Sequence, residues 1–244
     1  MTRKITAGII LIGDELLSGR TRDTNLATLA EFLAPLGVSV AEARILPDDR
    51  DVISNTVREF SDRFDYVFTT GGIGPTHDDI TADCIAAAFG LDISERLDAL
   101  DALRERYDET ELNAARRRMA RIPDGAILIK NPVSHAPGFQ TGNVFTLAGV
   151  PQIMKGMLDD VAHRIQGGET VQQISVTANG ISEGDAAADL AALDARYDDV
   201  AIGSYPFFNN DLRGVSFVAR SVNLSQLRDV ETALKSLVKQ LSDG

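Results

Sequence analysis

Three segments of this chain combine glycines with carboxylates, and chemistry is most legible there. The densest runs Thr69-Thr70-Gly71-Gly72-Ile73-Gly74-Pro75-Thr76-His77-Asp78-Asp79-Ile80-Thr81. Gly71, Gly72 and Gly74 permit backbone conformations closed to other residues and leave no Cβ in the way. A ligand phosphate can then approach bare N–H groups, and a helix starting after the run turns its positive end to the same spot. Together with Pro75 and Thr76 this makes a phosphate or diphosphate cradle. It is not a P-loop, because no Gly-Lys-Ser/Thr follows, and it is not the dinucleotide Gly-x-Gly-x-x-Gly fingerprint.

Asp78 and Asp79 admit two readings. They cap the helix and complement its dipole, or they hold a divalent cation that bridges to substrate phosphates. The second segment, Gly13-Asp14-Glu15-Leu16-Leu17-Ser18-Gly19 continuing through Asp23-Thr24-Asn25, and the third, Pro47-Asp48-Asp49-Arg50, carry further acids. Asp14, Glu15 and Asp48 are candidates to converge on the same metal; the alternative is solvation in surface loops. Two more loops fit the same sheet edge. Asn131-Pro132 leads to Ala136-Pro137-Gly138-Phe139, and Gly149-Val150-Pro151 precedes Lys155, which either reaches a phosphate or pairs with a surface acid. Pro151 also suits a plain helix start. His77 reads as a helix-start residue that hydrogen-bonds locally, a catalytic base or metal ligand being the alternative; His135 and His163 read as structural or solvent-facing, and Cys84 as a small core residue. No Ser/His/Asp or Cys/His triad is legible.

Strand–helix alternation positions these loops. Ile5 to Ile12 is a continuous apolar run, as in a strand buried on both faces of a parallel sheet. A helix through Leu26, Leu29, Leu33 and Leu36 follows, with Gly37 as its stop. Val38 to Leu46 reads as a strand, Val52 to Phe60 as a helix and Tyr66 to Thr70 as a strand. The spacing predicts helices from about Asp79 to Phe89 and from Pro151 to about Ile165, and strands at 127–129 and 144–147. Ser94 to Arg121 reads as one charged surface helix whose run Arg116-Arg117-Arg118 with Arg121 is a solvated face paired with acids, an anion-binding role being the alternative. This pattern means βαβ units, helices on both faces, and ligands at the carboxyl ends of the strands. Gly167-Gly168 marks the expected boundary between an α/β domain over 1–166 and a small α+β domain over 169–244, with an antiparallel sheet covered by helices on one face.

Composition limits the function. The 244 residues are 44% hydrophobic and 25% charged, which excludes a disordered, collagen-like or coiled-coil chain. The net charge of −12 argues against a nucleic-acid or anionic-membrane partner, and a polyanionic substrate meeting it needs metal screening. A single cysteine excludes an internal disulfide and points to a reducing compartment, the cytoplasm. The Ile/Leu run near the start is interrupted by Asp14-Glu15 and reads as a buried strand, not a signal peptide. No apolar run approaches the ~20 residues that span a bilayer.

Thr69 to Thr81 resembles the signature of molybdopterin-binding-like domains. More narrowly, the chain resembles the N-terminal part of competence/damage-inducible protein A, and it is similar to the molybdopterin-binding-like domain fused to eukaryotic FAD synthase. The likeness runs through Gly13 to Leu17, Asp23-Thr24-Asn25, Asn131-Pro132, Ala136-Pro137-Gly138, Gly149-Val150-Pro151 with Met154-Lys155, and Gly203-Ser204-Tyr205-Pro206. It implies a three-layer α/β/α domain with a mostly parallel sheet, plus a small α+β domain. It also implies metal-dependent hydrolysis of a nucleotide diphosphate bond, with ADP-ribose or FAD as substrate and Mg²⁺ or Co²⁺, with K⁺, as ions. Asp78, Asp79 and Glu15 would then be catalytic, Asp14 and Asp48 further metal ligands, and Asp23 and Asn25 ligand or monovalent-ion contacts. The broader relatives imply the alternative, molybdopterin binding in molybdenum cofactor metabolism without hydrolysis. A homo-oligomer is expected. The resemblance stops short of the nicotinamide mononucleotide deamidase and FAD-synthesising domains, for which 244 residues leave no room.

Overall fold

The structure is a computed structural model that describes residues 3–209 and 212–243. The chain divides into two compact units, Met1–Gly168 and Glu169–Gly244.

The first unit opens with β1 (Ile5–Ile12), α1 (Asp14–Leu17), α2 (Asn25–Leu33), β2 (Val38–Leu46), α3 (Arg50–Arg63), β3 (Tyr66–Thr70) and α4 (Thr81–Phe89). It continues with β4 (Ile93–Glu95), α5 (Leu97–Arg104), α6 (Ala114–Arg118), β5 (Arg121–Pro123), β6 (Ile127–Ile129), β7 (Gly138–Thr141), β8 (Val144–Leu147) and α7 (Pro151–Ala162). The main sheet runs β2-β1-β3-β8-β7-β6. β2, β1, β3 and β8 are parallel; β7 and β6 add antiparallel edge strands.

Period-two alternation along the strands builds the three layers. Ile10 and Ile12 of β1 enter a core with Ile53, Val57 and Phe60 of α3 and Ile85 of α4. Ala7, Ile9 and Leu11 enter the opposite core with Leu29 and Leu33 of α2 and Met154, Met157 and Leu158 of α7. Val67 and Phe68 of β3 divide the same way. The Asp49 carboxylate starts α3 by accepting from the Asp51 and Val52 N–H groups at 3.0 Å each. β1 is flanked by β2 on one side and β3 on the other, so the order of the sheet reverses there, the usual place for a ligand crevice.

Three expectations need correction. Residues 94–121 do not form one helix. Arg96 to Ala120 folds as α5, a turn and α6, framed by the antiparallel pair β4–β5. Leu100, Leu103, Leu112 and Ala120 from this stretch are buried in the core, which a single exposed helix would not allow, and the Asn113 side chain restarts the chain as α6 by accepting from Arg116 N–H. Gly138-Phe139 is not loop but the start of β7, where a Cβ on Gly138 would lie 2.4 Å from the Thr146 carbonyl oxygen. Finally, α4 begins at Thr81 rather than Asp79, with no side-chain cap.

The second unit contains β9 (Gln172–Asn179), α8 (Glu183–Asp194), β10 (Ala201–Asn209), β11 (Leu212–Ser221) and α9 (Leu224–Asp243). Its antiparallel sheet runs β10-β11-β9. Val176, Ala178, Val215, Phe217 and Ala219 alternate inward onto Ala186 and Leu193 of α8 and Leu227, Val230 and Leu234 of α9. Ser182 and Asp185 form a reciprocal capping box at the start of α8.

Candidate functional site

The glycine run follows β3, whose Thr70 stands in register with Leu11 of β1. Gly71 and Gly72 have φ of +104° and +65°, the region that favours glycine. Their space is also closed. A Cβ on Gly71 would lie 2.1 Å from the Ile12 carbonyl oxygen, and one on Gly72 would lie 2.2 Å from Thr81 Oγ1. Thr81, fully buried, clamps the loop: its hydroxyl donates to the Gly71 carbonyl and its N–H to the Gly72 carbonyl, both at 2.9 Å. The Gly71 N–H is used by the Leu147 carbonyl. The N–H groups of Gly72, Ile73 and Gly74 donate to no described residue. The loop thus presents the bare amides that an anion requires.

The acids of this loop are partly engaged. Asp79 accepts from the Thr76 N–H at 2.8 Å and the Thr76 hydroxyl at 2.5 Å, and the same hydroxyl lies against Asp78. The Thr76 hydroxyl holds the Asp78 carboxyl below the usual carboxylate range. Neither acid caps α4; both tie back to Thr76, with Pro75 between the glycines and that anchor. His77 is exposed.

On the neighbouring strand ends, Asp48 accepts from the Asp14 N–H at 3.0 Å. Burial pushes the Asp48 carboxyl above its ordinary range; that N–H opposes the shift, and the charges of Asp14, Glu15 and Asp78 reinforce it. Four of the five expected metal ligands therefore share one electrostatic neighbourhood. As placed, no three His, Cys, Asp or Glu side chains among the described residues form a metal cage.

The remaining expected residues divide. Asn25, 4% exposed, donates through Nδ2 to the Gly149 carbonyl at 2.8 Å, while its Oδ1 has no partner. Asp23 holds the start of α2 by accepting from Asn25 N–H and Leu26 N–H at 3.1 Å each. Asn25, Asp23, Glu15, Thr70, Gly149 and Pro151 line one cleft. Gly149 packs so that its Cβ would lie 3.1 Å from Gly71 Cα. Asn131 uses its amide on its own loop, accepting from Val133 N–H and Ser134 N–H and donating to Ser134 Oγ and the Ala136 carbonyl. Ser18 is exposed and donates to the Glu15 carbonyl at 3.3 Å. Lys155 is exposed and lines neither this cleft nor the one below. Cys84 is buried, and burial pushes its thiol up to about 11, which fits a core residue and not a nucleophile.

A second cleft is lined by Gly72, Ile73, Gly74, Asp79, Arg118 and Arg121 among others. The sequence reading leaves Arg118 within a solvated run, with anion binding as its alternative; in the structure Arg118 differs from its neighbours in the run, which pair with surface acids. Arg117 pairs with Glu95, Arg121 with Asp83 at 2.6 Å, and Arg116 lies 3.9 Å from Glu111. Arg118 instead donates from Nη2 to the Asp79 carbonyl at 3.1 Å.

Comparison with known proteins places this geometry in a family. Residues 8–167 match the model described as a probable molybdopterin binding domain, and residues 172–242 match the middle domain of FAD synthase. A protein of Archaeoglobus fulgidus is 35% identical over 81% of this chain and 84% of its own length. A probable FAD synthase of Caenorhabditis elegans is 29% identical over 98% of this chain but 51% of its own length. A CinA-like protein of Citrifermentans bemidjiense is 40% identical over 62% of this chain and 38% of its own. The chain thus spans about half or less of these last two relatives. The crystal structure of the protein CinA from Thermoplasma acidophilum, described as of unknown function, superposes with a TM-score of 0.62 and 36% identity, covering 65% of this chain and 96% of that one. The chain therefore belongs to the molybdopterin-binding domain family, among its CinA-like and FAD-synthase-related members.

Proposed function

We propose that this protein hydrolyses the diphosphate bond of a nucleotide such as ADP-ribose or FAD, with a divalent cation. The observation that carries the reading is the meeting of like charges around Asp48 beside a loop whose Gly72, Ile73 and Gly74 amides are free of described partners. Carboxylates that repel one another favour a cation, and free amides favour an anion. A diphosphate with its metal satisfies both.

The donor set fits Mg²⁺ or Co²⁺. Asp14, Glu15, Asp48, Asp78 and Asp79 offer oxygen ligands, and Mg²⁺ characteristically takes one or two carboxylates, several waters and substrate phosphates rather than a ready-made protein cage. When bound, such an ion polarises the phosphoryl oxygens and lowers the pKa of a water. The chain's own residues do the rest. The Gly72–Gly74 amides stabilise charge developing on the phosphoryl oxygens, Thr76 orients Asp78 and Asp79, and the cleft beside Asn25 and Gly149 receives the base or a K⁺ ion. The setting we infer is cytoplasmic, supported by the single unpaired Cys84, and the protomers assemble as a homo-oligomer, which light scattering tests. No helix among the described residues is long and apolar enough to cross a membrane.

A second reading is supported by the match of residues 8–167 to a probable molybdopterin binding domain: a pterin-binding protein with no hydrolytic step. Product analysis separates the two. AMP released from ADP-ribose or FAD supports hydrolysis; tight pterin binding without turnover supports the second.

A further inference from the structure

We infer that Arg118 is a phosphate-binding residue of this site, closing over an anion held on the Gly72–Gly74 amides. This rests on the reading that the glycine run takes a phosphate-bearing ligand. Three observations carry it.

First, Arg118 forms no ion pair with a described carboxylate, whereas Arg116, Arg117 and Arg121 each face one. Arg121 shares the cleft, but Asp83 offsets its charge at 2.6 Å. Secondly, the Arg118 Nε–H is shielded from solvent and has no partner. A buried donor left unmade is costly, and a shift of the guanidinium that brings Nε–H onto a ligand oxygen would remove that cost. Thirdly, the guanidinium is already anchored beside the loop, because Nη2 donates to the Asp79 carbonyl and the side chain lines one cleft with Gly72, Ile73 and Gly74.

Charge gives the arrangement its logic. A Cβ on Gly74 would lie 2.7 Å from Asp79 Oδ2, so an anion on these amides abuts a carboxylate. The planar guanidinium, always charged, supplies the offsetting positive charge and two parallel donors suited to phosphate. Sequence position hides this, since α6 turns only Arg118 of its three arginines toward the loop.

The test is equilibrium binding by calorimetry, with Mg²⁺ present throughout, and it needs no turnover. The probes are AMP, adenosine and inorganic pyrophosphate. Wild type is expected to bind AMP at least about tenfold more tightly than adenosine, as a charge-assisted contact implies. Arg118→Met should lose about tenfold or more for AMP and pyrophosphate and leave adenosine unchanged. Arg118→Lys should recover part of the loss, and Arg116→Met should change neither. Equal losses for AMP and adenosine, or no loss for either phosphate probe, would overturn the proposal. So would a wild type that binds neither AMP nor pyrophosphate. If the phosphate-specific loss occurs in a protein that releases no AMP from ADP-ribose, Arg118 keeps its role and the hydrolytic reading fails.

Discussion

The Asn25 amide donates to the Gly149 carbonyl at 2.8 Å, joining the start of α2 to the loop that starts α7. Because a carbonyl can only accept, this bond fixes which way the amide faces and leaves Oδ1 without a partner. Asn25→Ala leaves the Gly149 carbonyl without its donor. A destabilisation of about 1–3 kcal/mol is expected in urea unfolding. An unchanged urea midpoint would mean that water replaces the amide at no cost.

Gly72 is held at φ +65° against Thr81 Oγ1. Gly72→Ala adds a Cβ that would meet that oxygen at 2.2 Å and places a side chain in the left-handed region, which alone costs about 1–2 kcal/mol. The Thr81 hydroxyl must then leave the Gly71 carbonyl. The prediction is a stability loss of at least that size, together with weakened pyrophosphate binding in calorimetry. Wild-type stability and affinity in the alanine variant would show that the loop does not need its glycine.

Acid should erase one surface network. Arg44 and Arg63 hold the exposed Glu59 carboxyl down to about 2, from an ordinary 4.5. A group with a depressed folded pKa stabilises above its unfolded pKa and loses that contribution as pH falls through the folded one. The gap in urea midpoint between wild type and Glu59→Gln should therefore be full above pH 4.5, shrink below it, and vanish near pH 2. A gap that grows on acidification contradicts this sign.

Much of this molecule is legible in its sequence. The apolar, β-branched-rich run Ile5–Ile12 reads as a strand covered on both faces, and the glycines after Thr70 mark its neighbour's carboxyl end. What escapes is where local pattern is shared by different structures. A charged stretch without glycine or proline scans as a helix, yet Leu103, Leu112 and Ala120 are pulled into the core and the chain must turn between them. Asn113, an N-cap residue type, was the available signal. The short strand at Gly138 lacks an apolar run and is set by its pairing with Thr146 and its neighbours. At the site, the glycine loop and the acids near Asp48 follow from residue type. Asn131 does not: its amide is consumed by backbone groups a few residues away. Arg118 differs from Arg116 and Arg117 only in the direction it faces, which no spacing rule supplies.

If clustered acids and bare amides act together on a diphosphate through a cation, as we propose, hydrolysis must depend on both the ion and the acids. The most direct test is AMP release from ADP-ribose and FAD by the purified protein, with Mg²⁺, Co²⁺ or EDTA, for wild type and Asp79→Ala. AMP is expected only with a divalent cation, with a loss of at least about 100-fold in the variant while its circular dichroism remains that of wild type. AMP formation undiminished in EDTA, or full activity in Asp79→Ala, would contradict the proposal.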